Sequence, residues 1–251
     1  MRPEVSIFAS AVRTQLWMAW VEGIRATNAV EFEVVFVGNN RPEYTLPDNF
    51  RFIYSEAKPA ACFEMAARAS RGEALLQAAD DVVYSSGAVD LMYAAWKDAS
   101  PQILGIRTDG DCPMVFMASC HYYIDDVDMT AYQNLLGQPS ETFPLLPVCG
   151  MYSRELYHRL GGADRRFNGM QWELDMYMRM WAHGVKTVFV EGGRCTEHVA
   201  VQGQTPTGMR LGNRYWEHDR ATILSLYTVN GVVGTKRNDG VLSFGRVISN
   251  E

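Results

Sequence analysis

The chain has 251 residues, of which 47% are hydrophobic and 21% charged, a composition that supports a sizeable core in one large α/β domain or two small ones. Its formal net charge of -6 argues against a protein whose main partner is a nucleic-acid backbone, because such proteins carry a basic face, although a local basic patch is compatible with an acidic average. The first ten residues include Glu4 and do not form a signal peptide, and no apolar run is long enough to span a bilayer, so we expect a cytoplasmic protein.

The cysteines support the same compartment. There are 5 of them, scattered and odd in number, which is typical of free, buried thiols in a reducing environment. Cys112, Cys120 and His121 lack the paired spacing of a zinc site, so we expect no structural zinc.

The first third of the chain alternates strands and helices. Residues 5–9 form a short β-rich run, and Thr14 suits the N-cap of an amphipathic helix that extends to about residue 29. Residues 32–37 predict a second strand, which ends at Gly38-Asn39-Asn40, and this spacing favours a parallel pair with a right-handed crossover. Residues 51–54 predict a third strand, and Pro59 suits the first turn of a helix over 60–70.

A short apolar run after Gly72-Glu73 ends abruptly in Asp80 and Asp81. The run is too short for a typical helix and too uniformly apolar for a surface strand, which predicts a buried strand. Two adjacent carboxylates are costly inside a core, so we expect them at the carboxyl edge of the sheet, in the crevice where open α/β folds bind ligands. Such a pair can hold a hard divalent cation through oxygen, although Asp is equally common in solvated turns.

The middle of the chain predicts a change of sheet direction. Ser85-Ser86-Gly87 indicates a turn into a helix over 88–99. Residues 101–107 and 113–118 then predict two strands, and the Asp-Gly pair in the connecting 108–112 turn is a hairpin signal, so we expect a mixed sheet. Residues 119–144 contain a small acidic run and an irregular loop, which we interpret as surface.

A second motif lies between residues 153 and 179. A helix begins near Ser153, and the run from Gly161 to Arg179 reads Gly-Gly-x-Asp-x-x-Phe, a turn, an aromatic residue with acidic residues, and Asp-x-x-x-Arg on a helix. Glu173 falls in the first turn of that helix, where exposed backbone N–H groups keep a carboxylate ionised. An ionised carboxylate within reach of a hydroxyl can accept its proton as the oxygen attacks.

The last quarter of the chain predicts one more strand at 185–190, followed by a glycine-bearing run that reaches His198. A loop at 203–208 and a helix from about Asn213 to Tyr227 precede a glycine-bearing tail. Arg210, Arg214 and Arg220 make this segment locally basic, which fits either closure over a phosphate-bearing ligand or a solvated face.

These two motifs, in this order and followed by one histidine, resemble the signatures of the GT-A glycosyltransferases, in particular glycosyltransferase family 2. The resemblance covers roughly residues 4–200 and implies a single GT-A-like α/β domain, a mixed sheet with helices on both faces. Residues 1–105 would form the nucleotide-sugar half and residues 106–200 the acceptor half, with residues 201–251 packing on the same domain as a C-terminal helix and tail. The family usually has an acidic pair after its second strand, which Asn39 and Asn40 replace here.

The resemblance also implies roles for particular residues. Glu173 takes the position of the catalytic base and Asp175 completes the catalytic acidic pair, while Asp81 and His198 take the position of the ligands to Mn2+ or Mg2+. The implied contacts to the nucleotide-diphosphate donor are Ser10, Arg13, Asn39, Asn40, Lys58 and Asp80. The reaction implied is inverting transfer of a sugar, with a UDP-sugar favoured, to an acceptor hydroxyl on a glycan, a lipid-linked sugar, a protein or a hydroxylated DNA base.

Other interpretations of the same residues stay open. Asn39 and Asn40 suit a turn as well as a base contact, and Arg68, like Lys58, could offset phosphate charge or be a solvated helix-end residue. Glu173 could be a capping acid, with Asp175 and Arg179 a surface pair at i,i+4 spacing. Trp172 could stack on a sugar or belong to the core, and His198 could be structural. The alternative functions are nucleotidyl transfer, which releases pyrophosphate, and a non-catalytic nucleotide- or carbohydrate-binding module.

Overall fold

The computed structural model describes residues 2–99, 116–198 and 211–244. The predicted strand at 101–107, the 108–112 turn and the 203–208 loop lie outside these ranges, as do Cys112 and Arg210. The other four cysteines are buried free thiols, as expected. No helix within the described ranges combines the length and apolar character that a membrane crossing requires.

The first hundred residues contain the strands and helices that the sequence predicts, in the predicted order, and one additional short strand at Val82–Tyr84. The strands are β1 (Val5–Ser10), β2 (Phe32–Gly38), β3 (Phe50–Tyr54), β4 (Ala74–Gln77), β5 (Val82–Tyr84), β6 (Phe116–Ile124), β7 (Val127–Asp128), β8 (Gly150–Ser153), β9 (Lys186–Glu197), β10 (Thr228–Val229) and β11 (Val232–Val233). The helices are α1 (Thr14–Thr27), α2 (Pro59–Ala69), α3 (Ala88–Ala99), a 3-10 turn (Thr130–Tyr132), α4 (Arg154–Arg159), α5 (Trp172–Ala182) and α6 (Leu211–Tyr227).

The main sheet is mixed, and its strand order is β3-β2-β1-β4-β8-β6-β9-β5. Strands β3, β2, β1 and β4 are parallel, β8 is antiparallel to both β4 and β6, and β9 is parallel to β6. The chain leaves β1 towards β2 and later returns to place β4 on the other side of β1. The carboxyl ends of β1 and β4 therefore form a topological switch point, the position at which open α/β sheets bind ligands.

Helices cover both faces of the sheet because successive strand residues point to opposite sides. In β1, Ile7 packs with Trp17 and Trp20 of α1, whereas Phe8 packs on the other face with Tyr152 and Tyr157. One core cluster joins the sheet to α1 and α3, and the second joins it to α2, α4, α5 and α6. The expected single α/β domain of GT-A-like architecture is confirmed.

Several element limits differ from those predicted. The first helix has Arg13, not Thr14, at its N-cap position, without a side-chain capping bond. Strand β6 continues past residue 118 to Ile124, and β9 continues past residue 190 to Glu197. Both extensions contain polar residues, which do not fit the apolar pattern of a buried strand. However, β6 and β9 pair with each other along this length, from His121–Arg194 to Ile124–Glu197. The hydrogen bonds between the two strands therefore decide the conformation.

Gly38, at the end of β2, offers a direct test of the packing between β2 and the β1–α1 loop. A Cβ atom at this position would overlap the carbonyl oxygen of Ala11. We expect Gly38→Ala to lower the free energy of unfolding by about 3 kcal/mol, because backbone must move to relieve the overlap. Gly23 is exposed on α1 with nothing within 4 Å of an added Cβ, so Gly23→Ala should raise stability by about 1 kcal/mol. Urea unfolding of both variants measures the difference, and equal effects would contradict the proposed packing.

Candidate functional site

Asp80 lies at the switch point and organises the loop that follows β1. Its side chain is 2% exposed and accepts hydrogen bonds from the backbone N–H groups of Val12 and Arg13, both at 2.7 Å, and from Trp17 Nε1 at 3.2 Å. The Arg13 guanidinium donates to it from Nη1 at 2.6 Å. Both carboxylate oxygens are therefore committed to protein donors, and the placement of Asp80 fits a residue that shapes the loop.

Asp81 is buried beside Asp80 and shares the same cation, with Arg13 Nη2 at 3.0 Å from its carboxylate. Burial raises the pKa of Asp81 to about 6, since the Arg13 charge offsets the loss of solvent only in part and both Asp80 and Glu197 add negative charge. A buried carboxylate in such surroundings is stabilised by further positive charge. The doublet emerges at the carboxyl edge of the sheet, as predicted, but it is buried rather than solvated.

The strand register brings His198 to the same region as Asp81. Val82 of β5 pairs with Glu197 of β9 in an antiparallel ladder, so the residues just outside that pair, Asp81 and His198, flank one end of the ladder. The His198 Nδ1 atom lies 3.4 Å from the Asp125 carboxylate, and its side chain is 45% exposed. A carboxylate at Nδ1 is the usual support for an imidazole that binds a metal through Nε2.

The donor set fits a divalent cation only in part. Within the described ranges, no three His, Cys, Asp or Glu side chains are grouped so that protein alone could hold a metal ion. Asp81 and His198 could supply one oxygen and one nitrogen ligand, and a hard cation in a nucleotide site completes its shell with phosphate oxygens and water. The chemistry of the two side chains is therefore compatible with Mn2+ or Mg2+ that is bound together with a diphosphate.

A pocket of about 150 Å3 opens beside the β1–α1 loop. Its lining residues come from the ends of β1 and β2, the segment before α2 and the start of α6, and include Ser10, Gly38, Asn39, Lys58, Arg214 and Tyr215. Val12 also lines the pocket, and its backbone N–H binds Asp80. Asn40 does not line it. The Asn40 amide donates to the Val12 carbonyl oxygen at 2.8 Å, a placement that fits a loop support rather than a base contact.

The two basic residues near α2 have different surroundings. Lys58 lines the pocket, and its Nζ donates to Asn168 Oδ1 at 2.7 Å, so its charge is available at the pocket wall. Arg68 binds Glu64 at 2.7 Å and the Gly161 carbonyl oxygen at 3.2 Å, away from the pocket. The interpretation of Arg68 as a helix-end structural residue is therefore favoured.

Asp219 of α6 holds the loop of residues 168–170, which connects the pocket to α5. Its carboxylate accepts hydrogen bonds from the backbone N–H groups of Asn168 at 2.9 Å, Gly169 at 2.7 Å and Met170 at 2.7 Å. Burial opposes ionisation, but these amides and His218 hold the pKa of Asp219 below its ordinary value. The 168–170 loop is thus fixed between Lys58 on one side and α6 on the other.

Gln171 follows this loop in a left-handed conformation, with φ of 63°. A residue other than glycine pays a conformational cost there, and such strain concentrates at functional sites. Gln171 is 6% exposed, and its Oε1 is a buried atom without a hydrogen-bond partner among the described residues. The residue that precedes α5 therefore has a strained backbone and a buried side-chain oxygen without a hydrogen bond.

Glu173, two residues after Gln171, also has a buried oxygen without a hydrogen-bond partner among the described residues. The side chain is partly buried, and its Oε2 is enclosed and has no hydrogen-bond donor within the described part of the chain. Burial raises the pKa of Glu173 to about 7, against the backbone amides of Glu173 and Gln171, and the Asp219 charge raises it further. A carboxyl group that titrates near neutral pH and keeps one free oxygen can accept a proton from a bound hydroxyl.

Asp175 lies two residues further along α5 in different surroundings. It has 0% exposure and bonds Arg179 Nε at 2.9 Å, Arg237 Nη1 at 2.9 Å and the Tyr227 hydroxyl at 3.1 Å. The surface interpretation of the Asp175–Arg179 pair is wrong, because both side chains are fully buried. This placement favours a structural role for Asp175.

Trp172 is 1% exposed, and its ring lies 5.0 Å from that of Phe63, which places it in the core. Sequence reasoning missed Gln171, Asp219 and Arg237. Gln171 is distinguished by its left-handed backbone conformation, which the sequence does not reveal. Asp219 and Arg237 act through contacts with residues that are distant in the chain.

The sheet order, the switch point and the helices on both faces define a GT-A-like fold, the architecture of nucleotide-sugar glycosyltransferases. No protein-family model matches the chain, and no curated protein matches it.

Solved structures do resemble it. The mannosyltransferase PcManGT from Pyrobaculum calidifontis, in complex with GDP-Man and Mn2+, is 17% identical with a TM-score of 0.53, over 90% of this chain and 63% of that one. S. aureus TarS 1-349 in complex with UDP is 12% identical with a TM-score of 0.56, over 91% of this chain and 67% of that one. At these identities the likeness establishes the fold, and the chain spans less than two thirds of the mannosyltransferase.

Proposed function

We propose that this protein is a metal-dependent glycosyltransferase that moves a sugar from a nucleotide-diphosphate donor, a UDP-sugar in the first instance, to an acceptor hydroxyl. The observation that carries the proposal is the Glu173 carboxyl group, which has an unpaired buried oxygen and a pKa of about 7. It follows a strained loop whose Asn168 accepts a hydrogen bond from Lys58, a residue that lines the pocket beside the Asp80 loop. Solved structures of this fold in complex with GDP-Man and Mn2+ or with UDP support the donor class.

The pocket residues suit a nucleotide. The Asn39 amide has both a donor and an acceptor for the edge of a base, and Ser10 and Gly38 form a small-residue wall that lets a ring approach the backbone. Lys58 places a positive charge at the pocket wall, where it would offset diphosphate charge. Arg13, held by Asp80, is the second cation beside this region.

Asp81 and His198 would hold the divalent cation. The cation would supply positive charge to the diphosphate leaving group, as Lewis-acid stabilisation. Asp80 would keep the β1–α1 loop in place for the donor through the backbone bonds of Val12 and Arg13. In this assignment Asp80 acts on the donor loop, and Asp81 is the carboxylate ligand.

Glu173 would act as the general base. Its ionised carboxylate removes the proton from the acceptor hydroxyl, the acceptor oxygen forms a bond to the anomeric carbon, and the bond from that carbon to the diphosphate oxygen breaks. Attack opposite the leaving group inverts the anomeric centre. Asp219 contributes by fixing the loop from which α5 begins, so that the Glu173 carboxyl group keeps its position.

Removal of the metal or of its carboxylate ligand tests the proposal. We expect release of UDP or GDP from nucleotide sugars in the presence of Mn2+, loss of that release with EDTA, and a decrease of about 100-fold or more in Asp81→Asn. Asp126→Asn, in the exposed acidic loop, is the matched control and should keep full activity. Chromatography of the products distinguishes a nucleoside diphosphate from the pyrophosphate of nucleotidyl transfer. Equal turnover in Asp81→Asn and wild type would remove the proposed role.

A further inference from the structure

A second cavity, of about 410 Å3, lies at the opposite edge of the sheet from the donor pocket. It adjoins the amino ends of β1 and β4 and is lined by Arg2, Pro3, Ser70, Arg71 and Arg154. Among the residues that the structure describes, no carboxylate belongs to this lining. Three guanidinium groups therefore converge on one cavity in a chain whose net charge is -6.

Each of these guanidinium groups is anchored through its Nε atom. Arg2 Nε donates to the Arg71 carbonyl oxygen at 2.7 Å, and Arg154 Nε donates to the Gly72 carbonyl oxygen at 2.8 Å. Arg71 donates from Nε and Nη2 to Glu33 at 2.9 and 2.8 Å. The terminal nitrogens of Arg2 and Arg154, and Nη1 of Arg71, have no protein partner within the described ranges. The three side chains are thus oriented by the protein and keep donors for a ligand.

Glu33, the carboxylate that binds Arg71, is buried and committed to its donors. Glu33 is 3% exposed and accepts hydrogen bonds from the Ser6 hydroxyl and the Arg71 N–H, both at 2.6 Å. Burial opposes ionisation, but the bonds from Ser6 and Arg71 hold its pKa below the ordinary value. A Cβ atom on Gly72 would lie 2.6 Å from the Ser6 nitrogen, so the backbone at Gly72 packs directly against β1. Glu33 therefore fixes Arg71 and does not compete for the other two guanidinium groups.

The electrostatic surroundings of α4 agree with a positive potential. His158 lies one turn after Arg154, and its pKa is lowered by burial and then by the charges of Arg68 and Arg154. Cations at this end of the sheet therefore already act on a neighbouring titratable group. The described lining itself carries three arginines and no carboxylate, which makes the wall of the cavity positively charged.

We propose that this cavity is an anion site for a phosphate group carried by a ligand other than the sugar donor. Guanidinium groups bind phosphate through forked N–H pairs, and Arg2 and Arg154 each keep such a pair free. The site is separate from the donor pocket, because the length of β4, about 13 Å, lies between Gly72 and the Asp80-Asp81 doublet. The inference stands independently of the proposed glycosyl transfer.

Calorimetric titration with inorganic pyrophosphate, in EDTA so that no metal supports binding at the donor pocket, tests the site. We expect saturable binding that weakens with added salt. Arg2→Ala and Arg154→Ala should each weaken it about tenfold, and the double variant should abolish it. Arg159→Ala is the matched control, since Arg159 lies on the same helix, binds Glu155 at 2.6 Å and does not line the cavity, so it should bind as wild type.

Three outcomes would overturn the inference. They are binding of neither pyrophosphate nor phosphatidic acid by wild type, equal binding by wild type and the double variant, and loss of pyrophosphate binding in Lys58→Ala with retention in the arginine variants, which would assign pyrophosphate to the donor pocket. Thermal unfolding of each variant excludes a loss of fold. Flotation with phosphatidylcholine vesicles, with or without phosphatidic acid, distinguishes the source of the phosphate. Binding of free pyrophosphate supports a soluble ligand, arginine-dependent binding to phosphatidic acid alone supports a lipid headgroup, and absence of both overturns the site.

Discussion

Replacing Glu173 with glutamine is expected to lower the rate of sugar transfer about 10³-fold while donor binding is retained. The amide keeps the size of the side chain but cannot accept the proton of the acceptor hydroxyl. Because the pKa of Glu173 is about 7, transfer by wild type should rise as the pH increases through 7, and the variant should lose this dependence. Initial rates from pH 5 to 9, with donor affinity from titration, separate the chemical step from binding.

The same substitution should change stability in the opposite direction. The pKa of Glu173 is raised from 4.5 in the unfolded chain to about 7 in the fold, so the fold favours the protonated form. The stability that this preference contributes is fully present below pH 4.5 and is lost as the pH rises to 7, a difference of about 3 kcal/mol. Glu173→Gln has no such carboxyl group and should not show this loss. The free energy of unfolding of the variant, compared with that of wild type, should therefore be higher at pH 7 than at pH 4.5.

Glu155→Gln is the control for both measurements. Glu155 is also an acid in the first turn of a helix, but its side chain is 69% exposed and pairs with Arg159 at the surface. It should alter neither the pH profile nor, beyond about 0.5 kcal/mol, the stability. If Glu173→Gln turned over as wild type does, or kept the rise through pH 7, another group would have to be the base.

The parts of the site that sequence predicts depend on neighbouring residues. The apolar run before Asp80 and Asp81 dictates a buried strand, and a doublet at its end must emerge at the carboxyl edge of the sheet. Gly161 and Gly162 both have positive φ, 80° and 75°, a conformation that favours glycine. The tight turn after α4 can therefore be predicted from the local sequence. These features need no knowledge of distant contacts.

The remaining parts depend on contacts between distant segments. Arg13 carries no local sign that its guanidinium bridges the doublet 67 residues away. Asp219 holds the 168–170 loop across about 50 residues, as its bonds to Gly169 and Met170 show. The burial of Asp175 likewise follows from Arg237, which lies 62 residues further along the chain in a tail with no distinctive pattern. Such ionic contacts form only after the helices have packed, and sequence spacing carries no trace of them.

Arg237 also gives the second large expected effect. Its side chain is 1% exposed and bonds Asp164 at 3.2 Å, Asp175 at 2.9 Å and Asp239 at 2.6 Å. We expect Arg237→Met to lower the free energy of unfolding by about 3–5 kcal/mol, because it removes a cation shared by the buried carboxylates of Asp164 and Asp175 and leaves each with a single arginine partner. Lys236→Met changes the exposed neighbouring residue in the same way and should have an effect below about 0.5 kcal/mol.

A double-mutant cycle separates the loss of this ionic pair from the loss of packing. If the cost of Arg237→Met comes from the weaker compensation of the Asp175 charge, Arg237→Met combined with Asp175→Asn should be less destabilised than the sum of the two single variants. The same cycle bears on activity, since Asp175 is two residues from Glu173 on α5 and a shift of that helix would misplace the base. Urea unfolding measures the stability of each variant, and transfer rates are measured at temperatures below the thermal unfolding midpoint of each variant. The double variant should recover part of the stability and part of the transfer rate. Strict additivity would mean that Arg237 stabilises the tail alone and does not position α5.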